Sequence, residues 1–208
     1  MENHKESTSS EELEKNDEDE ILKYEIVDGI FRDNKIQISF SPTVQTLYEK
    51  NYFGTLLPDG SLELDILEAL LLIERSRIQI FNENKEEMTA EQILSIVVEE
   101  DSRIWVKYLV YRDLRQRGYM VRLGYGDGID FRVYPRGSTR SEAVAKYFIY
   151  ILDEGNSIQL QNLDQITKQT LNARKKLIIV TLDRLGDPTY YHLEQTKLPE
   201  NSKKEDFW

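Results

Sequence analysis

The stretch Ile104-Trp-Val-Lys-Tyr-Leu-Val-Tyr-Arg-Asp-Leu-Arg-Gln-Arg-Gly118, running on to Ile129-Asp-Phe-Arg-Val-Tyr134, decides how this chain folds. Val106, Val110 and Leu114 recur at helical spacing, and Gly118 is suited to end the helix. The period then changes. Tyr119–Leu123 and Ile129–Tyr134 alternate apolar and polar residues, as strands do, on either side of a glycine-rich turn. A basic helix leading into a strand pair is expected. Gly124-Tyr-Gly-Asp-Gly128 joins strand to strand rather than strand to helix, so it reads as a flexible turn and not as a nucleotide fingerprint.

Downstream, Ala145–Leu152 reads as a strand, Leu163–Leu171 as a helix and Leu177–Leu182 as a strongly apolar strand. Asp183–Asp187 has the residues of a hairpin loop, and Thr189–Glu194 returns as a strand. Upstream, Leu22–Ser41 alternates around turn signals at Asp28-Gly29 and Asp33-Asn34. Pro42-Thr43 opens a short helix through Leu47 and Tyr48, and Pro58-Asp59-Gly60 is a turn. Ser61 to Glu74 carries Leu64, Leu67, Leu70 and Leu71 at helical spacing, and Ile78–Phe81 reads as a strand. Thr89 caps a helix over Ala90–Glu99, with Gln92 completing a capping box. The fold class is α+β in two units: an acidic arm (1–21), an N-terminal domain (22–101), a second domain (102–199) and a tail (200–208).

Composition narrows the function. At 39% hydrophobic and 31% charged, the 208 residues suit a soluble globular protein. No apolar run nears the roughly 20 residues of a membrane-spanning helix, and the acidic N-terminus does not resemble a secretory signal. A cytoplasmic protein with no membrane partner is expected. With no cysteine, disulfides and cysteine nucleophiles are excluded. Only His4 and His192 are histidines, and their spacing to carboxylates offers no zinc site, so no metal or cofactor is expected. The net charge of −11 argues against nucleic acid until its distribution is considered. Nine acids and two lysines within the first 20 residues hold most of it, in a segment that reads as a solvated, disordered arm. Seven arginines (Arg112, Arg115, Arg117, Arg122, Arg132, Arg136 and Arg140) crowd instead into the second half, where they could meet phosphates.

Two positions could carry chemistry. Tyr134 ends a strand and is followed by Arg136, and Lys175 stands between Arg174 and Lys176 before an apolar strand. A tyrosine near cations can exchange a proton, and a lysine can stabilise developing negative charge. By themselves such residues more often pack or face water.

Their order and spacing change that weight. Tyr108–Tyr119, Asp130-Phe-Arg-Val-Tyr-Pro-Arg-Gly137, Ala173-Arg-Lys-Lys-Leu177 and Gly186-Asp-Pro-Thr-Tyr-Tyr191 resemble, in order, motifs of the archaeal tRNA-splicing (tRNA-intron) endonuclease family. Leu47-Tyr-Glu-Lys-Asn-Tyr-Phe-Gly54 and Leu64–Glu74 are similar to its N-terminal domain. The resemblance covers about 85% of the chain. It implies a small N-terminal α/β domain followed by a restriction-endonuclease-like catalytic domain. It also implies metal-independent cleavage of pre-tRNA at exon–intron junctions, leaving a 2′,3′-cyclic phosphate and a 5′-hydroxyl. In the family a tyrosine takes the proton of the attacking 2′-hydroxyl, a histidine protonates the leaving 5′-oxygen, and a lysine stabilises the transition state. Tyr134 and Lys175 occupy the tyrosine and lysine positions, and Arg132, Arg136 and Arg174 are the cations expected to meet RNA.

The histidine position falls on Val144, or with one gap on Arg140. Valine can neither give nor accept a proton, and losing a general acid costs about 10²–10⁴-fold in rate. Gly126-Asp127 departs as well, putting an acid where the family tends to have a lysine and an aromatic residue. The resemblance therefore implies a structural subunit of a hetero-oligomer, completing a catalytic subunit with an intact Tyr, His and Lys set. The family's acidic docking loop matches Leu182–Pro188, with Asp183 and Asp187 as the acids. Two other readings stay open: a catalytic subunit with a substitute acid such as Glu142, and an RNA-binding assembly protein that kept only the fold. A metal-dependent nuclease using Asp130 is disfavoured, because no Glu-x-Lys follows at strand spacing.

Overall fold

Hydrophobic patterns of two periods alternate along the chain, and each unit folds by closing helices over a sheet. The computed structural model describes residues 25–125, 128–139, 144–153, 155 and 157–196. The chain divides between Glu100 and Asp101 into two compact units. Among the described residues, no helix is long and apolar enough to cross a membrane.

In the first unit, β1 (Val27–Arg32) and β2 (Lys35–Ile38) form a hairpin. Its turn residues Asp33 and Asn34 have φ of 49° and 56°, the left-handed pair that a two-residue hairpin loop requires. The second turn expected at Asp28-Gly29 does not form, because both residues lie inside β1. Gly29 is there for space: a Cβ would stand 2.5 Å from Ile36 Cγ2 on the neighbouring strand. Helix α1 (Pro42–Glu49) is capped by the Ser41 hydroxyl, which accepts from the Val44 amide.

The helix expected from Ser61 begins only at Ile66. Leu62–Leu64 is strand β4, paired with β2 on one side and with β3 (Thr55–Leu56) on the other. Leu64 suits both periods, and its pairing with Ile36 decides the matter. Asp65 caps α2 (Ile66–Glu74) in a capping box with Glu68. Glu68 is only 2% exposed, yet it accepts from the Gly54 and Asp65 amides, so this buried carboxylate holds the loop onto the helix. Strand β5 (Ile78–Phe81) runs parallel to β1, β6 (Glu87–Met88) follows, and the Thr89–Gln92 box opens α3 (Ala90–Val97). The strand order is β3-β4-β2-β1-β5-β6.

The second unit contains α4 (Ile104–Gln116), β7 (Met120–Leu123), β8 (Phe131–Tyr134), β9 (Tyr147–Leu152), α5 (Leu160–Asn172), β10 (Lys176–Leu182) and β11 (Pro188–Leu193). The sheet order is β11-β10-β9-β8-β7. Only β9 and β10 are parallel, and the crossover between them carries α5, as parallel neighbours demand. Alternation sorts the side chains. Val133, Ile149 and Ile178 face α4, whereas Phe148 and Leu177 form a core with Ile166 of α5. On α4 the buried residues are Ile104, Tyr108, Val110, Tyr111 and Leu114, so Val110 and Leu114 pack as expected while Val106 is only half-buried. Gly124 is dictated by packing, since a Cβ there would fall 1.7 Å from the Ile129 carbonyl oxygen.

Arg103 pins the start of α4 to the sheet. It pairs with Asp130 at 3.1 Å and Asp153 at 2.8 Å and donates to the Ile151 carbonyl at 2.8 Å. Asp130 also accepts from the Ile151 amide at 2.7 Å. Burial pushes the Asp130 carboxyl up, and the Ile151 amide, Arg103 and Lys107 pull it back. Asp130 thus has a structural role, bridging Arg103 and the Ile151 amide. Asp130→Ala leaves the arginine and an amide without their partner and is expected to cost about 3 kcal/mol, read from the urea unfolding midpoint of the full chain.

Candidate functional site

The ends of three neighbouring strands meet at one rim of the second sheet. Val133 stands opposite Tyr147, which in turn stands opposite Lys176. The Lys146 amide donates to the Val133 carbonyl at 2.9 Å and the Lys176 amide to the Lys146 carbonyl at 3.1 Å. Tyr134, Lys146 and Lys175 therefore follow one another across the rim. At ordinary strand spacing this puts the Tyr134 and Lys175 backbones about 10 Å apart. Tyr134 is half-buried against Ile129, Ala145, Phe148, Ile166 and Leu177. Lys175 is half-buried too. Its amide donates to the Thr170 carbonyl at 3.0 Å, closing the turn in which Arg174 takes φ of 56°. The Arg174 side chain is exposed beside it.

Val144 breaks the pattern. It is 66% exposed, while the adjacent Ala145 is 8% exposed and belongs to the core. An apolar side chain thus faces water at the position where the sequence resemblance expects the histidine. Arg140 and Glu142, and the Gly126-Asp127 departure, lie outside the described residues. His192 is exposed on β11, opposite Ile178 and three strands away from Tyr134, but it lines one cavity with Lys175. Sequence reading missed Lys146, whose only signal was its place at the foot of a strand one position from the core residue Ala145.

The arginines are dispersed. Arg132 donates to the Leu123 carbonyl at 2.9 Å and stands 5.2 Å over the Tyr125 ring. Arg136 lies past the end of β8, 4.8 Å over the Tyr119 ring. Arg117 chelates Asp113, and Arg112 and Arg115 lie over tyrosine rings of their own helix. The charge dense in sequence is therefore spread over two faces of the sheet.

In the 183–187 loop the two aspartates do different things. Asp183 accepts from the Leu185 and Asp187 amides, both at 2.9 Å, so its carboxylate closes the turn. Asp187 is exposed, and Leu185 at the tip is 87% exposed. Plain turn chemistry accounts for Asp183, which leaves Leu185 and Asp187 as the outward-facing pair.

Across the sheet from Tyr134, Asp113 joins the end of α4 to β11. It accepts from Tyr190 Oη at 2.6 Å and from Arg117 Nε at 2.6 Å. Burial first, and then this bond to a carboxylate, push the Tyr190 phenol far above its ordinary value of 10.0. Tyr190, Tyr119 and Tyr147 wall a cavity of about 190 Å³ whose floor is Val133, Ile149 and Ile178.

The comparisons with known proteins agree with this architecture. Residues 27–94 match the tRNA intron endonuclease N-terminal domain, and residues 104–190 match the tRNA intron endonuclease catalytic C-terminal domain. The chain is 35% identical over 151 residues to a tRNA-splicing endonuclease of Thermococcus gammatolerans, covering 73% of this chain and 87% of the relative. It is 31% identical over 165 residues to one from Methanothermobacter thermautotrophicus, covering 79% of this chain and 95% of the relative. A longer relative from Methanococcoides burtonii is 32% identical over 161 residues, covering 77% of this chain and 44% of the relative. The chain belongs to the tRNA-intron (tRNA-splicing) endonuclease family.

Tyr190→Phe keeps the ring and removes the bond to Asp113, with an expected loss of about 1–2 kcal/mol at neutral pH. Because the folded phenol titrates above the unfolded one, its contribution is fully present below pH 10 and fades as pH rises beyond it. Urea unfolding of both proteins from pH 7 to 11 should show their gap closing above about pH 10.

Proposed function

We propose that this chain is the structural subunit of a tRNA-splicing endonuclease that excises introns from pre-tRNA. The observation that carries the reading is Val144, exposed to water in the order Tyr134, Val144, Lys175. Cleavage by a 2′-hydroxyl needs a base for its proton, a cation for the charge gathering on phosphorus, and an acid for the leaving 5′-oxygen. Tyr134 suits the first task and Lys175 the second. Valine serves none of them. Arg132, Arg136 and Arg174 would contribute contacts to pre-tRNA rather than chemistry.

The partner is a catalytic subunit with an intact tyrosine, histidine and lysine. It cleaves without a metal ion to give a 2′,3′-cyclic phosphate and a 5′-hydroxyl, and the assembly, a heterotetramer of two subunits of each kind, acts in the cytoplasm. The 183–187 loop provides the contact, with Leu185 as the apolar tip, Asp187 as the charge and Asp183 holding the turn. The exposed strand β11, with Tyr191 56% exposed, is the surface next to it. A second reading, a catalytic subunit with a substitute acid, is favoured by one observation: Lys146 stands on the rim between Tyr134 and Lys175.

Pre-tRNA cleavage in EDTA separates the two. The chain alone should leave the transcript intact, and cleavage should appear when a paralogue with the full residue set is added. In that pair, Lys175→Ala in this chain should leave the rate within about two-fold, because no step runs through it. Leu185→Asp should abolish both association, read by size exclusion, and cleavage. Cleavage by the isolated chain would sink the structural-subunit reading, and its loss in Lys146→Gln would identify the substitute acid.

A further inference from the structure

The cavity between α4 and the second sheet has no part in the chemistry above, and its walls have a distinct character. Tyr119, Tyr147 and Tyr190 stand over an aliphatic floor of Val133, Ile149 and Ile178, around a space of about 190 Å³. That is several times the roughly 30 Å³ share of a liquid water molecule, so the cavity has room for a ring. Arg136 lies 4.8 Å from the Tyr119 centroid, and Lys146 5.4 Å from that of Tyr147. Both are exposed, whereas Arg117, over Tyr190, is already engaged with Asp113. Among the described residues no carboxylate lines the cavity.

We infer that the chain's own Phe207-Trp208 pair fills this cavity, with the Trp208 indole inside it and Glu205 and Asp206 against Arg136 and Lys146. This goes beyond the subunit reading and does not depend on it. Residues 197–208 lie outside the described residues. Their sequence, Lys197-Leu-Pro-Glu-Asn-Ser-Lys-Lys-Glu-Asp-Phe-Trp208, is mostly polar up to Asp206 and then aromatic. Residues 1–20 hold no Phe, Tyr or Trp, so the acidic arm has no ring to offer. Indole against tyrosine, with a cation beside the ring, is an arrangement that aromatic side chains favour. The aliphatic floor takes the apolar body of the ring, and the acids directly before the pair complement the exposed cations.

The distances allow it. Leu193 ends β11 opposite Leu177, which stands opposite Phe148 of β9. The end of β11 is thus two strand spacings, roughly 10 Å, from the strand that begins at Lys146 and Tyr147. The eight residues 197–204 span roughly 26 Å when extended. That leaves length for a reversal, for which Pro199, Asn201 and Ser202 are suitable residues. A linker this short supplies an effective concentration on the order of a millimolar. An intrinsic dissociation constant of about 0.1 mM then keeps the docked form in roughly ten-fold excess.

Trp105 and Trp208 are the two tryptophans of the chain, and Trp105 is 52% exposed on α4. In the full chain carrying Trp105→Phe, tryptophan fluorescence therefore reports Trp208 alone. Its emission should be blue-shifted, and acrylamide should quench it about five-fold less efficiently than it quenches a synthetic 197–208 peptide. Two charge reversals are then made in this background: Arg136→Glu with Lys146→Glu, and Glu205→Lys with Asp206→Lys. Each pair turns attraction into repulsion and should return quenching to the level of the peptide. All four changes together should restore the protection, which a general loosening of the fold would not do.

Quenching of Trp208 equal to that of the peptide overturns the proposal. So does protection that survives both charge reversals, because the indole is then buried somewhere else. Loss of protection in each reversed pair without recovery when the two are combined also overturns it, since the acids and cations named here are then not partners. Protection that fades on dilution puts the segment of a second copy in the cavity and overturns the contact within one chain.

Discussion

The parallel register of β9 and β10 is the constraint on which the second unit depends. Lys176 opposite Tyr147 and Leu177 opposite Phe148 bring Lys175 level with the end of β8, across Lys146 from Tyr134. A slip of one residue would turn Leu177 out of the core and move Lys175 to the other face. Parallel neighbours also require a long crossover, so α5 and its Ile166 contact are part of the same requirement. The site positions 134 and 175 are thus held by the packing of Phe148 and Leu177, residues with no chemistry of their own.

Polar links at the two ends of α4 do comparable work on the opposite face. At its start, Arg103 gathers Asp130, Asp153 and the Ile151 carbonyl; at its end, Asp113 gathers Arg117 and Tyr190. Helix burial supplies most of the stabilisation, but apolar contact is tolerant of rotation and hydrogen bonds are not. These two clusters set the position of the helix along the sheet and leave between them the tyrosine-walled cavity.

The exposed Val144 has meaning in this frame. A valine in a core is held by its neighbours, and replacing it would disturb packing; at 66% exposure nothing nearby demands an apolar residue. Its neighbour Ala145 keeps the strand anchored, so chemistry at position 144 is separable from the fold. That separability means a substitution at position 144 leaves the architecture of the domain unchanged.

Much of this is legible in the sequence. Hairpin chemistry at Asp33-Asn34, the Thr89–Gln92 capping box, the basic helix to Gly118 and the apolar strands follow from local rules, because each depends on residues a few positions apart. The motif order likewise singles out Tyr134, Val144 and Lys175 as the positions to examine. Local rules failed where long-range pairing outweighed them. Gly29 carries a turn residue's identity but sits in a strand against Ile36, and Leu64 follows a helical period but pairs with the same residue. The arginine-rich stretch read as one surface, yet alternation and helix rotation divide it between faces, with several members already over tyrosine rings. Sequence by itself determined most of the element types and nominated the residues that could do chemistry. Only the tertiary structure decided which of them share a rim, that Asp183 closes its own turn, and that Tyr119, Tyr147 and Tyr190 meet, because such proximity is set by strand register and not by spacing along the chain.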